Sequence, residues 1–260
     1  MRFLHASLCI LSLIFALTGC SRQDVLVIGM DATYPPFEFK DTNGEITGVS
    51  VAIGNEIGKT LGKQVQYRNM TFDGLIPALQ TGQIDLIISS LTANELRSKT
   101  IDFSDPYVKT GLSILASKNS TVQSAEDLKT PGRKLAVRIA TTGEQWSRTE
   151  LPNAKLVALD TDAACVMEVN NGTVDAWVYD QVSVMNYHEQ YPEQTRALLA
   201  PLREEVWAVG IKKGQEDLKA KVNETIARMK ADGAFAKLAD QYLAKERDMM
   251  KAQGLPFVFE

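Results

Sequence analysis

The chain has 260 residues, with 28 Lys and Arg against 32 Asp and Glu, a formal net charge of -4, and 45% hydrophobic residues. Such a mildly acidic balance excludes the nucleic-acid binders that depend on a basic surplus. The hydrophobic content supports a sizeable core, and the length suits one large domain or two small ones.

The first twenty residues, MRFLHASLCILSLIFALTGC, place Arg2 ahead of an apolar run from Ala6 to Leu17. That run is short for a membrane span and reads as the core of a signal peptide. Leu17-Thr18-Gly19-Cys20 resembles the lipobox of bacterial lipoproteins, which implies cleavage before Cys20, acylation of its thiol and a membrane anchor. With Cys9 removed and Cys20 acylated, Cys165 alone would remain. It sits in the helical stretch TDAACVMEV and is expected to be a small apolar core residue without a disulfide partner. His188 would be the last His, which leaves little for a catalytic triad or a His-based metal site; no metal and no cofactor are expected.

Beyond the leader, VLVIGMD reads as a buried strand, ATYPPFEF as a rigid loop entering extended chain, and NGEITG as a turn. Val49, Ile53, Ile57 and Leu61 recur every four residues, one face of a helix that Gly62 stops. VQYRNM is a strand, TFDGLIPALQTG a helix ended by Gly82, and IDLIISS a continuous apolar strand ending in hydroxyls. GLSILASKNS is extended. The strand-then-helix rhythm returns in KLAVRIATTGEQW, KLVALDTDAACVMEV and DAWVYDQVSVMNYHEQ. EVWAVGIKKG is extended again, and Gln215 to Tyr242 is helical with a break at Gly233. Strands alternating with helices predict parallel sheets. The chain is expected to leave one α/β unit along GLSILASKNS and to return along EVWAVGIKKG.

Open α/β sheets bind ligands beyond the carboxyl ends of their strands. The residues just past those ends are Asp31 and Tyr34; Ser89, Ser90, Thr92 and Arg97; Thr141 and Thr142; and Asp180. Arg97 offers a planar fork matched to a carboxylate. Ser90, Thr92 and Thr142 stand where loops enter helices, so hydroxyls and free backbone N–H groups can meet the same anion. Asp180 can accept from an ammonium group. The set predicts a zwitterion held between two units. Tyr34 and Phe72 are expected in the pocket wall, Trp177 in packing, Tyr179 on the opposite side of the strand from Trp177, and Glu38 in a structural or rim position.

DATYPPFEF, FDGLIPALQTGQIDLIISSLT with Arg97 and IDFSDPY beyond it, ATTGE and GTVDAWVYD together resemble the bacterial extracellular solute-binding family 3, the polar amino acid-binding proteins of ABC importers. The resemblance covers nearly all of the chain after Cys20. It implies a two-lobed α/β periplasmic binding protein fold of type II, each lobe an open sheet, joined by two hinge strands. The corresponding boundaries are residues 21–111 with 206–260 for one lobe and 112–205 for the other. It implies a monomeric, non-catalytic receptor in the periplasm or on the cell surface, whose partners are a free amino acid and the membrane subunits of an ABC permease. By the same resemblance Arg97 holds the α-carboxylate with Ser90, Thr92 and Thr142, Asp180 takes the α-amino group, and Tyr34 and Phe72 cover the side chain. Arg138 occupies the position of a side-chain-facing Lys in the glutamine receptors of the family. With Asp31 it suits an amide, which makes glutamine the first expectation and a basic amino acid the alternative. A cyclohexadienyl dehydratase-like enzyme and a sensory lipoprotein are the readings of other classes. The chain departs from the family at Ala140, where Gly is usual, and at Gly48-Val49-Ser50, where Ser50 is expected to cap a helix. The tail ERDMMKAQGLPFVFE runs past the usual end.

Overall fold

The computed structural model describes residues 25–259, so the leader and Cys20 lie outside the described residues. In chain order the first half holds β1 (Val25–Met30), β2 (Thr33–Tyr34), β3 (Glu38–Lys40), β4 (Ile46–Thr47), α1 (Val49–Leu61), β5 (Gln64–Asn69), α2 (Leu75–Thr81), β6 (Leu86–Ile87), α3 (Glu95–Ser98), β7 (Ile101–Phe103) and β8 (Val108–Ser117). The second half holds β9 (Lys134–Arg138), α4 (Thr142–Glu150), β10 (Lys155–Leu159), α5 (Asp162–Asn170), β11 (Ala176–Asp180), α6 (Gln181–Gln190), β12 (Thr195–Trp207), β13 (Gly210–Lys212), α7 (Glu216–Ala231), α8 (Ala234–Tyr242) and α9 (Ala244–Ala252).

Two five-stranded sheets result, ordered β5-β1-β6-β13-β7 and β10-β9-β11-β8-β12, with a small β2-β3-β4 sheet beside the first. They organise the two lobes, called here the first and the second. Pairing is parallel for β1 with β5 and β6, and for β9 with β10 and β11. The sheets are mixed, however, rather than purely parallel. β8 runs antiparallel to β11 and β12, and β13 antiparallel to β6 and β7, because the chain crosses between lobes in both directions.

Val49, Ile53 and Ile57 are fully buried on α1 against Leu26, Ile28 and Met30 of β1, as four-residue spacing demands. Leu112, Ile114, Leu135 and Val178 form the core of the second lobe. Cys165 is a buried, free thiol in α5. IDLIISS pairs as a strand only over Leu86–Ile87; Ser90 then adopts φ 47, which turns the chain out of the sheet and into the cleft. The segment before Glu205 was not legible as a strand, yet β12 starts at Thr195 and slips register between Leu198 and Arg203.

The tail adds α9 and a terminal segment. Lys109 N–H donates to Val258 O at 2.9 Å, and the Phe259 ring lies 5.0 Å from Phe235. α9 also meets α6 of the second lobe through Asn186 Nδ2 to Glu246 Oε1 (3.2 Å) and a Lys245–Glu189 ion pair.

Candidate functional site

Asp31 follows β1 and leads the first lobe into the cleft. Its N–H donates to Ser89 Oγ at 2.9 Å, and its Oδ1 accepts from Thr33 Oγ1 at 2.8 Å. One oxygen of Glu38 accepts from Ser50 at 2.6 Å and from Ser90 at 3.2 Å. Glu38 is 1% exposed and lines the cleft, so it is a wall residue and not a rim one. Burial pushes its carboxyl up to about 8, against the two serine hydroxyls that favour the anion. Ser50 sits inside α1, whose N-cap is Gly48; its hydroxyl serves Glu38 instead of capping the helix.

Because the folded pKa of Glu38 lies above its ordinary value of 4.5, its contribution to stability is full below about pH 4.5 and is lost as pH rises through about 8. Thermal melts from pH 5 to 9 should show stability falling with pH. Glu38→Gln, which keeps an acceptor for both serines, should flatten that slope; an unchanged slope would remove Glu38 as its source.

Arg97 is 5% exposed and donates to Thr92 O (2.8 Å) in its own lobe and to Ala140 O (3.0 Å) in the other. Burial lowers its pKa to about 10, with Glu205 and Asp180 opposing, so it stays charged at neutral pH. Thr141 caps α4 by accepting from Glu144 N–H, and Gly143 brings that helix against β11: a Cβ there would stand 2.2 Å from Val178 O. This seats Thr142, the first residue of α4, with a backbone N–H that has no partner inside the helix. Ala140 holds φ 63, a conformation that favours glycine, between the Arg97 contact and a 2.7 Å bond from its N–H to Glu144 Oε2. Ala140→Gly should therefore stabilise the fold by about 1 kcal/mol, read as a higher Tm; a lower Tm would contradict the strain.

Asp180 ends β11 and stands at the N-cap of α6 without making a side-chain cap bond. Its Oδ1 is buried with no hydrogen-bond partner among the described residues, and neither has the Tyr34 hydroxyl. Burial, then Glu205 and Asp162, raise the Asp180 pKa well above the carboxylate range. An ammonium group against it would reverse that shift.

Arg138 reaches across the cleft. Nη2 donates to Asp31 Oδ2 at 2.5 Å, and Nη1 to Asp162 Oδ1 at 2.8 Å and to the Tyr179 hydroxyl at 3.1 Å. Burial opposes its charge, but Tyr179, Asp162 and Asp31 outweigh that and raise its pKa. Both guanidiniums lie over the Phe72 ring, Arg97 Cζ at 5.4 Å and Arg138 Cζ at 5.6 Å from its centre. Tyr34 packs edge-on against Tyr179 and Trp207. Trp177 and Tyr179 stack at 4.3 Å rather than facing opposite sides, since residues two apart on a strand share a face.

Every candidate residue of the sequence, Asp31, Tyr34, Phe72, Ser89, Ser90, Thr92, Arg97, Arg138, Thr142 and Asp180, borders one cavity between the lobes, with Glu38, Thr141 and Tyr179. The lobes meet across this cavity through Arg97 to Ala140 O and Arg138 to Asp31, so an amino acid reaches it when the lobes part. Two acids were missed. Asp162 starts α5 after β10, where the strand-end rule applied to KLVAL would have found it. Glu205 lies within β12 and accepts at one oxygen from the hydroxyls of Thr92 and Thr142, both at 2.9 Å. The two threonine hydroxyls are thus engaged by the protein itself. Among the described residues no group of three or more His, Cys, Asp or Glu is placed to hold a metal, and no helix is long and apolar enough to cross a membrane.

Comparison with known proteins agrees with this architecture. The L-cystine-binding protein TcyJ of Escherichia coli K12 is 28% identical over 232 residues, 88% of this chain and 86% of the relative. A crystal structure of a mutant of ArgBP from T. maritima superposes with a TM-score of 0.79 at 33% identity, over 85% of this chain and 96% of that one. The ancestral amino acid-binding protein AncCDT-1, a precursor of cyclohexadienyl dehydratase, superposes with a TM-score of 0.77 at 36% identity, over 85% of this chain and 95% of that one. The two-sheet architecture is the type II periplasmic binding protein fold. Residues 26–245 match the family model, and the chain belongs to the bacterial extracellular solute-binding proteins, family 3.

Proposed function

We propose that the chain is the extracytoplasmic receptor of an ABC importer, closing on a polar amino acid between its lobes and delivering it to a membrane permease. One observation carries this reading. A buried guanidinium, Arg97, and a buried carboxyl with an unpartnered oxygen, Asp180, enter one cleft from opposite lobes. The α-carboxylate lies on Arg97 and the N-terminus of α4; the α-ammonium lies on Asp180. Residues 21–111 with 206–260 move as one lobe and 112–205 as the other, hinging where β8 and β12 pass between them.

The ligand's side chain faces Asp31, Arg138, Phe72 and Glu38. A protonated Glu38 and an acceptor at Asp31 suit an uncharged amide, which puts glutamine first. A second reading, a basic amino acid, is favoured by the count at Arg138: Asp31 and Asp162 are two acids against one guanidinium. A thermal-shift screen of the twenty amino acids and cystine separates them. Ligand at 100 times its Kd adds about 2.7 kcal/mol of stability. A large shift with glutamine supports the first reading, one with arginine or lysine the second, and no shift with any contradicts both. The protein is read as a monomer and as non-catalytic, with Asp180 kept for a ligand ammonium group that a dehydratase would not need there. Incubation with prephenate or arogenate should give no aromatic product.

Cys20 is read as the acylated anchor. Cys20→Ser should release the exported protein from membranes with ligand affinity unchanged, as the tether precedes the folded lobes. A membrane-bound Cys20→Ser protein would contradict the anchor.

A further inference from the structure

Glu205 has no counterpart among the residues assigned above to the ligand, yet its carboxylate is buried and its bonds are divided by direction. Oε2 accepts from Thr92 of the first lobe and from Thr142 of the second, each at 2.9 Å. Oε1 accepts from Arg203 Nη2 at 2.6 Å and Nε at 3.1 Å. Arg203 is half-exposed, so the pair faces outward on one side and inward on the other. Glu205 lies on β12, opposite Thr110 of β8, where the chain crosses between lobes. Thr92 is tied to the same crossing by its bridge to Trp207.

A single oxygen can hold both hydroxyls only when the lobes are together. Thr92 accepts Arg97 Nη1 at its carbonyl, and Thr142 opens α4, so the threonines that meet on Glu205 belong to the two elements proposed to flank the ligand carboxylate. Their hydroxyls are committed to Glu205, which leaves Arg97 and backbone N–H groups to face an anion. The anionic acceptor makes these bonds stronger than neutral ones, and Arg203 compensates its charge without entering the cleft.

We propose that Glu205 is a closure latch: a positioning residue at the hinge that gathers Thr92 and Thr142 from opposite lobes and so favours the closed cleft in which Arg97 and the N-terminus of α4 face one ligand carboxylate. This rests on the amino acid-receptor reading for its effect on affinity, but its effect on closure does not need a ligand. Two readouts separate them. Small-angle scattering of the ligand-free protein reports the lobes, and calorimetry with the amino acid that gives the largest thermal shift reports affinity.

Glu205→Ala should enlarge the ligand-free radius of gyration and weaken binding about tenfold, the loss of charge-assisted hydrogen bonds. Glu205→Gln keeps an acceptor oxygen and should recover most of both. Thr142→Val removes one donor without touching the acid. It should weaken binding in wild type and have almost no further effect in Glu205→Ala. Wild-type affinity and dimensions in a folded Glu205→Ala protein would overturn the latch. Tighter binding would overturn it too, showing instead that Glu205 competes with the ligand carboxylate. Were no amino acid to bind wild type, the receptor reading would fail while the scattering of the ligand-free variants still judged the latch.

Discussion

Arg97→Ala is expected to abolish amino acid binding in a protein that still folds. The guanidinium is 5% exposed and enters the cleft from a short helix, α3, whose N-cap Asn94 accepts from the Arg97 N–H at 2.9 Å. Its backbone is therefore held independently of the side chain. Truncation would leave the ligand carboxylate buried without a counter-charge, and breaking one partner out of a buried pair costs about 3–5 kcal/mol, hundreds-fold or more in affinity. It also removes the bond to Ala140 O that joins the lobes. Calorimetry showing wild-type affinity in a folded Arg97→Ala protein would remove Arg97 from the site.

Arg138→Met should destabilise the closed protein by about 3–5 kcal/mol, the largest stability loss expected at any single position of the cleft. The substitution keeps apolar volume and deletes the one cation shared by Asp31 and Asp162, leaving two buried carboxyls facing each other across the lobes. Burial already raises Asp162 to about 6, with Arg138 the first opposing influence. Without Arg138 that pKa rises further, so stability lost at neutral pH should return as pH falls and Asp162 protonates. A melt of Arg138→Met equal to wild type at pH 7, or an equal deficit at pH 5, would contradict the bridge.

Much of the cleft was legible before any coordinates because strand ends in open α/β sheets converge. Naming the polar residues after VLVIG, IDLII, LAVRI and DAWVY was enough to bring together Asp31, Arg97, Thr142 and Asp180. Helix faces followed from spacing, as at Val49, Ile53 and Ile57. What escaped was what local pattern does not encode. The 13-residue β12 carries Pro201 and a register slip, so no alternation marked it, and Glu205 was hidden with it. Arg138 was placed by resemblance, but its partner Asp162 is contributed by a different strand-helix unit. The departure at Ala140 acquired its meaning only with its left-handed backbone. Ser50 has the residue type of a cap, but the helix begins before it and its hydroxyl is drawn to Glu38. The tail gave no periodic cue for docking on both α6 and the hinge strand.

The central claim is that the cleft recognises both ends of an amino acid backbone at once, Arg97 one and Asp180 the other. Calorimetry of wild-type protein with the amino acid giving the largest thermal shift, with its methyl ester and with its N-acetyl derivative tests it most directly. The ester removes the charge for Arg97 and the acetyl group removes the charge for Asp180. Each derivative should lose about a hundredfold or more in affinity, the consequence of leaving one buried charge uncompensated. Binding of either derivative as tightly as the free amino acid would contradict the account.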